Sequence, residues 1–215
     1  MTARGSVVLA YDPGWPRAFE VERALLEQVL APWLRDGIHH VGSTAVPGLA
    51  AKPIIDVMAG VRDLEEARAA FAPLRALGYL HREHRPEAHS LLKPGAGGWW
   101  QQTHHLHLTE PGSDLWRERL AFRDALRADP SLAHEYAEWK WREAAASGDP
   151  SPYRGDKRPF VARVLAEAGI TLRPDCERLS TGALRERQRV AAARGHGSPG
   201  RVTAPSPPGD EPPGR

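Results

Sequence analysis

A chain of 215 residues with 41% apolar and 26% charged residues has the balance of a globular protein with one well-buried core, which excludes a fibrous or wholly disordered chain. Its longest apolar runs, such as Val7–Tyr11, are too short to span a bilayer, nothing near Arg4 reads as a secretory signal, and one cysteine, Cys176, cannot form an internal disulfide. These features point to a cytoplasmic protein. The formal net charge of +2 is unevenly spread: from Arg178 onward seven arginines face three acids, so residues 1–177 carry −2 and the basicity belongs to the tail. Tail arginines are weak evidence for nucleic acid, which is not expected as a partner.

Along the chain, Val7–Leu9 reads as a short first strand. Asp12–Pro13–Gly14 turns the chain into a helix opened by Pro16, where the missing N–H costs nothing. Phe19, Leu25, Leu26, Val29 and Leu30 give that helix an apolar face, and Pro32 ends it near Trp33. Ile38–Val41 reads as a strand, Gly42–Leu49 as a small-residue turn, and Pro53–Val61 as a buried strand with Asp56 at its middle. Asp63 and Glu66 form a capping-box-like start to a helix that runs to Leu77 and stops at Gly78. Leu91–Leu92 and His104–Thr109 then read as two arms of a hairpin joined through Gly95–Gly98.

From Ser113 the pattern becomes helical. Ser113 caps one helix, and Asp129–Pro130 opens a second in the N-cap and N1 arrangement. A third carries Phe160, Val161, Val164 and Leu165 and ends at Gly169. A further arginine- and alanine-rich helix is predicted from Thr181 to Ala193. Between Gly195 and Arg215, 13 of 21 residues are Gly, Pro or Ser, too few apolar groups to order the segment. The division expected is one domain over residues 1–177 and a basic, Pro/Gly-rich tail over 178–215. The fold class expected is α/β (α+β): a mixed sheet with flanking helices and a C-terminal helical cap.

The chemistry concentrates in HHVGSTAVPGLAAKPIIDVMAGV, His39 to Val61. A Gly-Ser turn opening toward a helix offers backbone N–H groups and a hydroxyl to an anion, as phosphate loops do; it also serves simply as a tight turn. A lone carboxylate between Ile55 and Val57 needs a partner, because an unpaired charge in a buried strand is costly. A metal ion or a structural ion pair would serve. His105 and His107 alternate with Leu106 and Leu108, so both imidazoles share one face, which fits a metal or phosphate site as well as a solvated strand. Arg123 and Asp124 are expected to pair and hold the helical cap against the sheet.

The segments YDPGWPRAFEVE, HVGSTAVPGLAAKPIIDV, HHLHL, FRDALR, YAEWK and YRGDKRPF resemble, in order and spacing, the motifs of the GrpB family, over about residues 7–170. The resemblance implies a branch of the nucleotidyltransferase superfamily. It implies that Gly42, Ser43 and Thr44 form a phosphate-facing turn and that Asp56 is the first metal-binding, catalytic acid. Through the spacing Tyr153-x-x-x-Lys157, it also makes Lys157 a phosphate contact. The expected function is binding of a nucleoside triphosphate with a divalent cation, Mg²⁺ or Mn²⁺, held by Asp56, His105 and His107, and transfer of the nucleotidyl group to an acceptor the sequence does not name. The superfamily pattern places a second acid two residues after the first, and this chain has Met58 there. That departure favours the alternative, a catalytically degenerate domain that binds nucleotide or a partner protein.

Removing residues 178–215 is expected to leave the melting temperature within about 5 °C of that of the whole chain, on the order of 1 kcal/mol. A larger drop in a calorimetric scan would show that the segment is docked on the core.

Overall fold

The computed structural model describes residues 8–85, 87–146 and 157–171. The first element is α1 (Trp15–Leu30), whose Trp15, Phe19, Glu22, Leu26 and Leu30 lie buried along one stripe at helical spacing. It is followed by β1 (Leu34–Val41), a 3-10 turn at Ser43–Ala45 and β2 (Ile55–Val61). A second 3-10 turn at Glu66–Ala70 leads into α2 (Phe71–Ala76), and Asp63 Oδ1 accepts a 2.8 Å bond from the Glu66 amide at this start. Then come β3 (Leu80–Arg85), β4 (Ala88–Gly95) and β5 (Gly98–Thr109), and finally α3 (Asp114–Ala128), α4 (Pro130–Ala146) and α5 (Arg158–Glu167).

The five strands form one mixed sheet in the order β1-β2-β5-β4-β3, with β2 and β5 parallel and the other pairs antiparallel. The two strands flanking the Gly-Ser turn are direct neighbours, as expected, with Val41 opposite Asp56. The segment Val7–Leu9 behaves differently: Leu9 makes only an isolated bridge to Ala51, and Val7 lies outside the described residues. The predicted helix at Thr181–Ala193, the tail, Cys176 and Tyr153 also lie outside them. The strand β3 was not expected. It borders the sheet, and its LHREHR sequence carries the charged side chains that suit an edge strand but give no apolar alternation to read.

The two faces of the sheet are covered unequally. Residues with odd numbers on β2 and even numbers on β5, among them Ile55, Val57, Ala59, Leu106 and Leu108, face α1 and α2 in the main core with Leu26, Leu30 and Leu74. On the other face, Trp116 of α3 packs on Val41 and Met58. Helices α3, α4 and α5 form a second core through Leu126, Tyr136, Phe160 and Val164, and this core closes on Val46 and Leu49 beyond the Gly-Ser turn. Ser113 caps α3 by accepting the Trp116 amide, and Asp129 Oδ1 accepts from Ser131 and Leu132 at the start of α4, as their sequence positions require. None of the helices among the described residues is long and apolar enough to cross a membrane.

The turn is held from behind by His40. Its ring stacks on Phe19 of α1 at 4.7 Å between centroids, and its Nε2 lies 3.0 Å from Thr44 Oγ1. Since the Thr44 hydroxyl donates to the Ile54 carbonyl at 3.1 Å, it accepts from His40 Nε2–H. Burial lowers the His40 pKa to about 4; Asp56 pulls it up, but Arg127, Arg123 and His104 add to the lowering. The folded protein therefore binds the proton less readily than the unfolded chain, so this residue costs nothing above the ordinary histidine range and destabilises as the pH falls from about 6.5 toward 4. Urea melts at pH 7 and pH 4.5 should show a loss on the order of 2 kcal/mol from this residue. A His40→Gln variant should show a correspondingly smaller fall between the two pH values; an equal fall would place the acid sensitivity elsewhere.

Candidate functional site

Because β1 ends at Val41 opposite Asp56, the chain leaves the sheet at Gly42 directly beside that carboxylate. Gly42 takes φ +72° and ψ −173°, a region open essentially to glycine alone. A Cβ there would lie 2.2 Å from Asp56 Oδ2 and 2.9 Å from its carboxyl carbon. The turn and the acid thus share one space, and only a residue without a side chain allows it.

The parallel pairing of β2 with β5 sets Asp56 opposite His105, and Met58 opposite His107. Asp56 Oδ1 accepts a 3.1 Å bond from His105 Nδ1, and His105 Nε2 meets the side-chain amide of Gln102 at 2.6 Å. The Asp56 side chain keeps 27% of its surface exposed, so the acid is open to a ligand. Burial on its own would raise the Asp56 pKa, but the bond and charge of His105, with the charges of Arg119 and His107, outweigh it and hold the carboxyl down at about 2. His107 lies on the same face, with its Nδ1 3.3 Å from the Ser90 hydroxyl. Met58 is fully buried against Trp116 and Val41, where it offers no oxygen to a hard cation.

Ser43 stands at the head of the turn, half-buried, and Thr44 follows it with a different role from the one its sequence position suggests. The Thr44 side chain is 2% exposed and engaged with His40 and Ile54, so its hydroxyl faces inward as a brace. The amides of Ala45 and Val46 are used within the turn, by the carbonyls of Gly42 and Ser43. Helix α3 fastens the turn from the front. Arg123 donates to the His40 carbonyl at 3.1 Å while pairing with Asp124 at 2.7 Å, and Arg127 donates to the Ala45 carbonyl at 2.8 Å. Arg123 therefore ties the cap to the sheet, while Asp124, its neighbour on α3, pairs with its guanidinium.

One residue at this site escapes the sequence reading. Lys140 of α4 is only 5% exposed, and its Nζ donates to Ser43 Oγ at 3.3 Å and to the Ala50 carbonyl. Burial, and then the charge of Lys157 just before α5, lower the Lys140 pKa to about 7. The signal was present in YAEWK: Lys140 falls four residues after Tyr136 and seven after Ala133, on the stripe that buries the rest of α4. A lysine on a buried stripe asks for an explanation.

The sheet thus brings together Gly42, Ser43, Asp56 and His105, and the helical cap adds Lys140. His107 shares the face but engages Ser90. Among the described residues, no group of three His, Cys, Asp or Glu side chains is placed to hold a metal ion by itself.

The chain belongs to the GrpB family. The model of that family, described as GrpB protein, matches residues 6–167. The chain is 34% identical over 169 residues to the glutamate-rich protein GrpB of Alkalihalophilus pseudofirmus, covering 76% of this chain and 97% of that protein. It is 36% identical over 142 residues to the UPF0157 protein YqkA of Bacillus subtilis, a match that spans 66% of this chain but 40% of that protein. Among solved structures, it is similar to the conserved protein GrpB from Enterococcus faecalis, with a TM-score of 0.66 and 32% identity over 75% of this chain and 96% of that one.

Substituting Gly42 should be more damaging than substituting a turn glycine with open space around it. Gly42→Ala is expected to cost roughly 2–4 kcal/mol in urea unfolding, from backbone strain plus displacement of Asp56. Gly48→Ala, whose φ is also positive at +77° but whose added Cβ would meet nothing within 4 Å, should cost distinctly less. Equal losses would mean that the Gly42–Asp56 contact carries no weight.

Proposed function

We propose that this protein binds a nucleoside triphosphate at the Gly42–Ser43 turn, together with a divalent cation at Asp56, and transfers the nucleotidyl group to an acceptor. The observation that carries this reading is the Gly42–Asp56 contact, which sets an anion-binding turn against an acid held ionised by His105. The turn supplies the Ser43 hydroxyl and the amides of Ser43 and Thr44 for phosphate, and the cap supplies Lys140 and Lys157.

The donor set suits one cation shared with phosphate oxygens rather than a cage built from protein alone. Asp56 and His105 would hold it, with His107 further along the same face. A cation there would neutralise charge building up on the phosphates. In the transfer, an acceptor oxygen bonds to the α-phosphorus as the bond from that phosphorus to the β-phosphate bridging oxygen breaks, and pyrophosphate leaves. Arg119, whose charge acts on Asp56, adds positive field on the same face.

A second reading has one observation in its favour. Met58 occupies the position of a second acid and is fully buried under Trp116, so it leaves Asp56 without a partner carboxylate two residues along. On that reading the site binds nucleotide, or a partner protein, without turnover.

Thermal shift with ATP, GTP, CTP and UTP, each with and without Mg²⁺ or Mn²⁺, tests the binding. A nucleotide at a hundred times its Kd should stabilise by about 2.7 kcal/mol, raising the melting temperature by roughly 5–10 °C. Asp56→Asn should lose the metal-dependent part of that shift. No shift with any nucleotide, with or without metal, would overturn the proposal. Binding without release of pyrophosphate across a panel of acceptors would favour the second reading.

A further inference from the structure

We propose that Ser43 and Lys140 form a Ser–Lys nucleophilic dyad, so that the Gly-Ser turn attacks an activated acyl group, an ester or a thioester, and carries it as an acyl-serine. This inference stands on the contact between the two side chains and is independent of the nucleotide reading.

Nζ of Lys140 lies 3.3 Å from Ser43 Oγ and is held on another side by the Ala50 carbonyl. An activated hydroxyl needs just these parts: a base in contact with it, and a third group that aims the base. Nζ also lies over the face of the Tyr136 ring, 4.7 Å from its centroid, so the partners it meets among the described residues are neutral. A lysine that is 5% exposed among neutral partners sheds its proton readily, because burial penalises the ammonium. Once neutral, Nζ accepts from the Ser43 hydroxyl and still donates an N–H to the Ala50 carbonyl. Thr44, the next hydroxyl along, is turned inward to His40 and Ile54, whereas Ser43 keeps part of its surface open.

The charges around the pair agree with a base there. Burial, and then the charge of Lys157, bring the Lys140 pKa to about 7, so the amine is mostly unprotonated at pH 8. Tyr136 faces it from its own helix, and Arg123 and Arg127 of α3 reach the same turn through the His40 and Ala45 carbonyls. None of these groups would hold the proton on Lys140.

In the reaction, Ser43 Oγ bonds to the acyl carbon as its proton passes to Lys140 Nζ, and the carbonyl π pair moves onto oxygen. Collapse breaks the bond to the alcohol or thiol, which leaves with the proton from the Lys140 ammonium. Water then adds to the acyl-serine, giving its proton to Lys140, and Ser43 Oγ takes that proton back as the carboxylic acid is released. An acyl group suits this chemistry better than a bare phosphate. The Asp56 carboxylate beside Gly42 repels an anion that arrives without a cation.

Labelling with a fluorophosphonate, in the absence of nucleotide and metal, tests the dyad. The intact mass should show one adduct formed with loss of fluoride, mapped to Ser43 by peptide sequencing and absent in Ser43→Ala. Its rate should rise with pH through a midpoint near 7, where Lys140 loses its proton. Lys140→Met and Lys140→Arg should each label at least about a hundredfold more slowly and lose that midpoint, since neither side chain accepts the proton. The wild-type pH profile and the Ser43→Ala comparison decide the matter if neither Lys140 variant folds.

No adduct at Ser43 in the wild type, a rate flat across the neutral range, or full-rate labelling of Lys140→Arg overturns the dyad. p-Nitrophenyl acetate should leave one acetyl group on Ser43; labelling by the fluorophosphonate without any acetyl transfer overturns the acyl substrate. Nucleotide binding in the thermal-shift panel does not depend on either outcome, so the two readings stand or fall separately.

Discussion

The site rests on the approach of Gly42 to Asp56. Antiparallel pairing of β1 with β2 brings the two residues side by side, and the 2.2 Å that a Cβ would leave to Oδ2 means the acid and the turn cannot be adjusted independently. Everything attached to the turn inherits this geometry. Ser43 follows in the 3-10 turn, Thr44 is fixed from behind through His40, and Arg123 and Arg127 bond its carbonyl side from α3. The helical cap is therefore not a separate layer resting on the sheet. It reaches the site through two arginines and Lys140, so shifting α3 or α4 would shift the turn.

The alternation of β5 divides its histidines between two tasks. His105 and His107 face the turn side, as the period of two requires, whereas His104 faces α1. There it stands 3.8 Å from Glu22, whose two carboxylate oxygens each accept a 2.8 Å bond from Lys93. Lys93 lies on the strand next to β5, and register places it on the face opposite the turn, where it neutralises a buried glutamate of α1. Burial lowers the His104 pKa, with Glu22 pulling it up and Lys93 and His105 adding to the lowering, so on that face histidine acts as a neutral packing group. The same three-histidine segment thus serves the core on one side and the site on the other.

Most of this architecture was legible because its signals are local. Apolar periodicity marked α1 and α5, the Ser113 and Asp129 caps marked α3 and α4, and Asp56 within a β-branched run marked β2. The turn and its acid were visible for the same reason. What escaped depends on contacts distant in sequence. The edge strand β3 is charged rather than alternating, as suits a strand that borders the sheet, and Leu9 closes only a bridge because its partner at Ala51 sits in the loop after the turn. Thr44 could not be seen to face inward until His40 and Ile54 were known to bracket it. Lys140 is 97 residues from Ser43, and no local pattern reveals that meeting.

The charge balance of the site follows in part from Met58, two residues beyond Asp56 on β2. A second acid beside Asp56 would add negative charge and favour paired cations, with phosphate held mainly through metal. With a buried thioether there instead, the one acid is already offset by His105 and Arg119, and the turn side carries Lys140 against Ser43. In the proposed reading, Lys140 and Lys157 supply part of the neutralisation that a second metal would otherwise provide, which lets a single-acid site still hold a triphosphate. On that reading a triphosphate would bind with modest metal dependence, and a metal requirement would belong to transfer more than to binding.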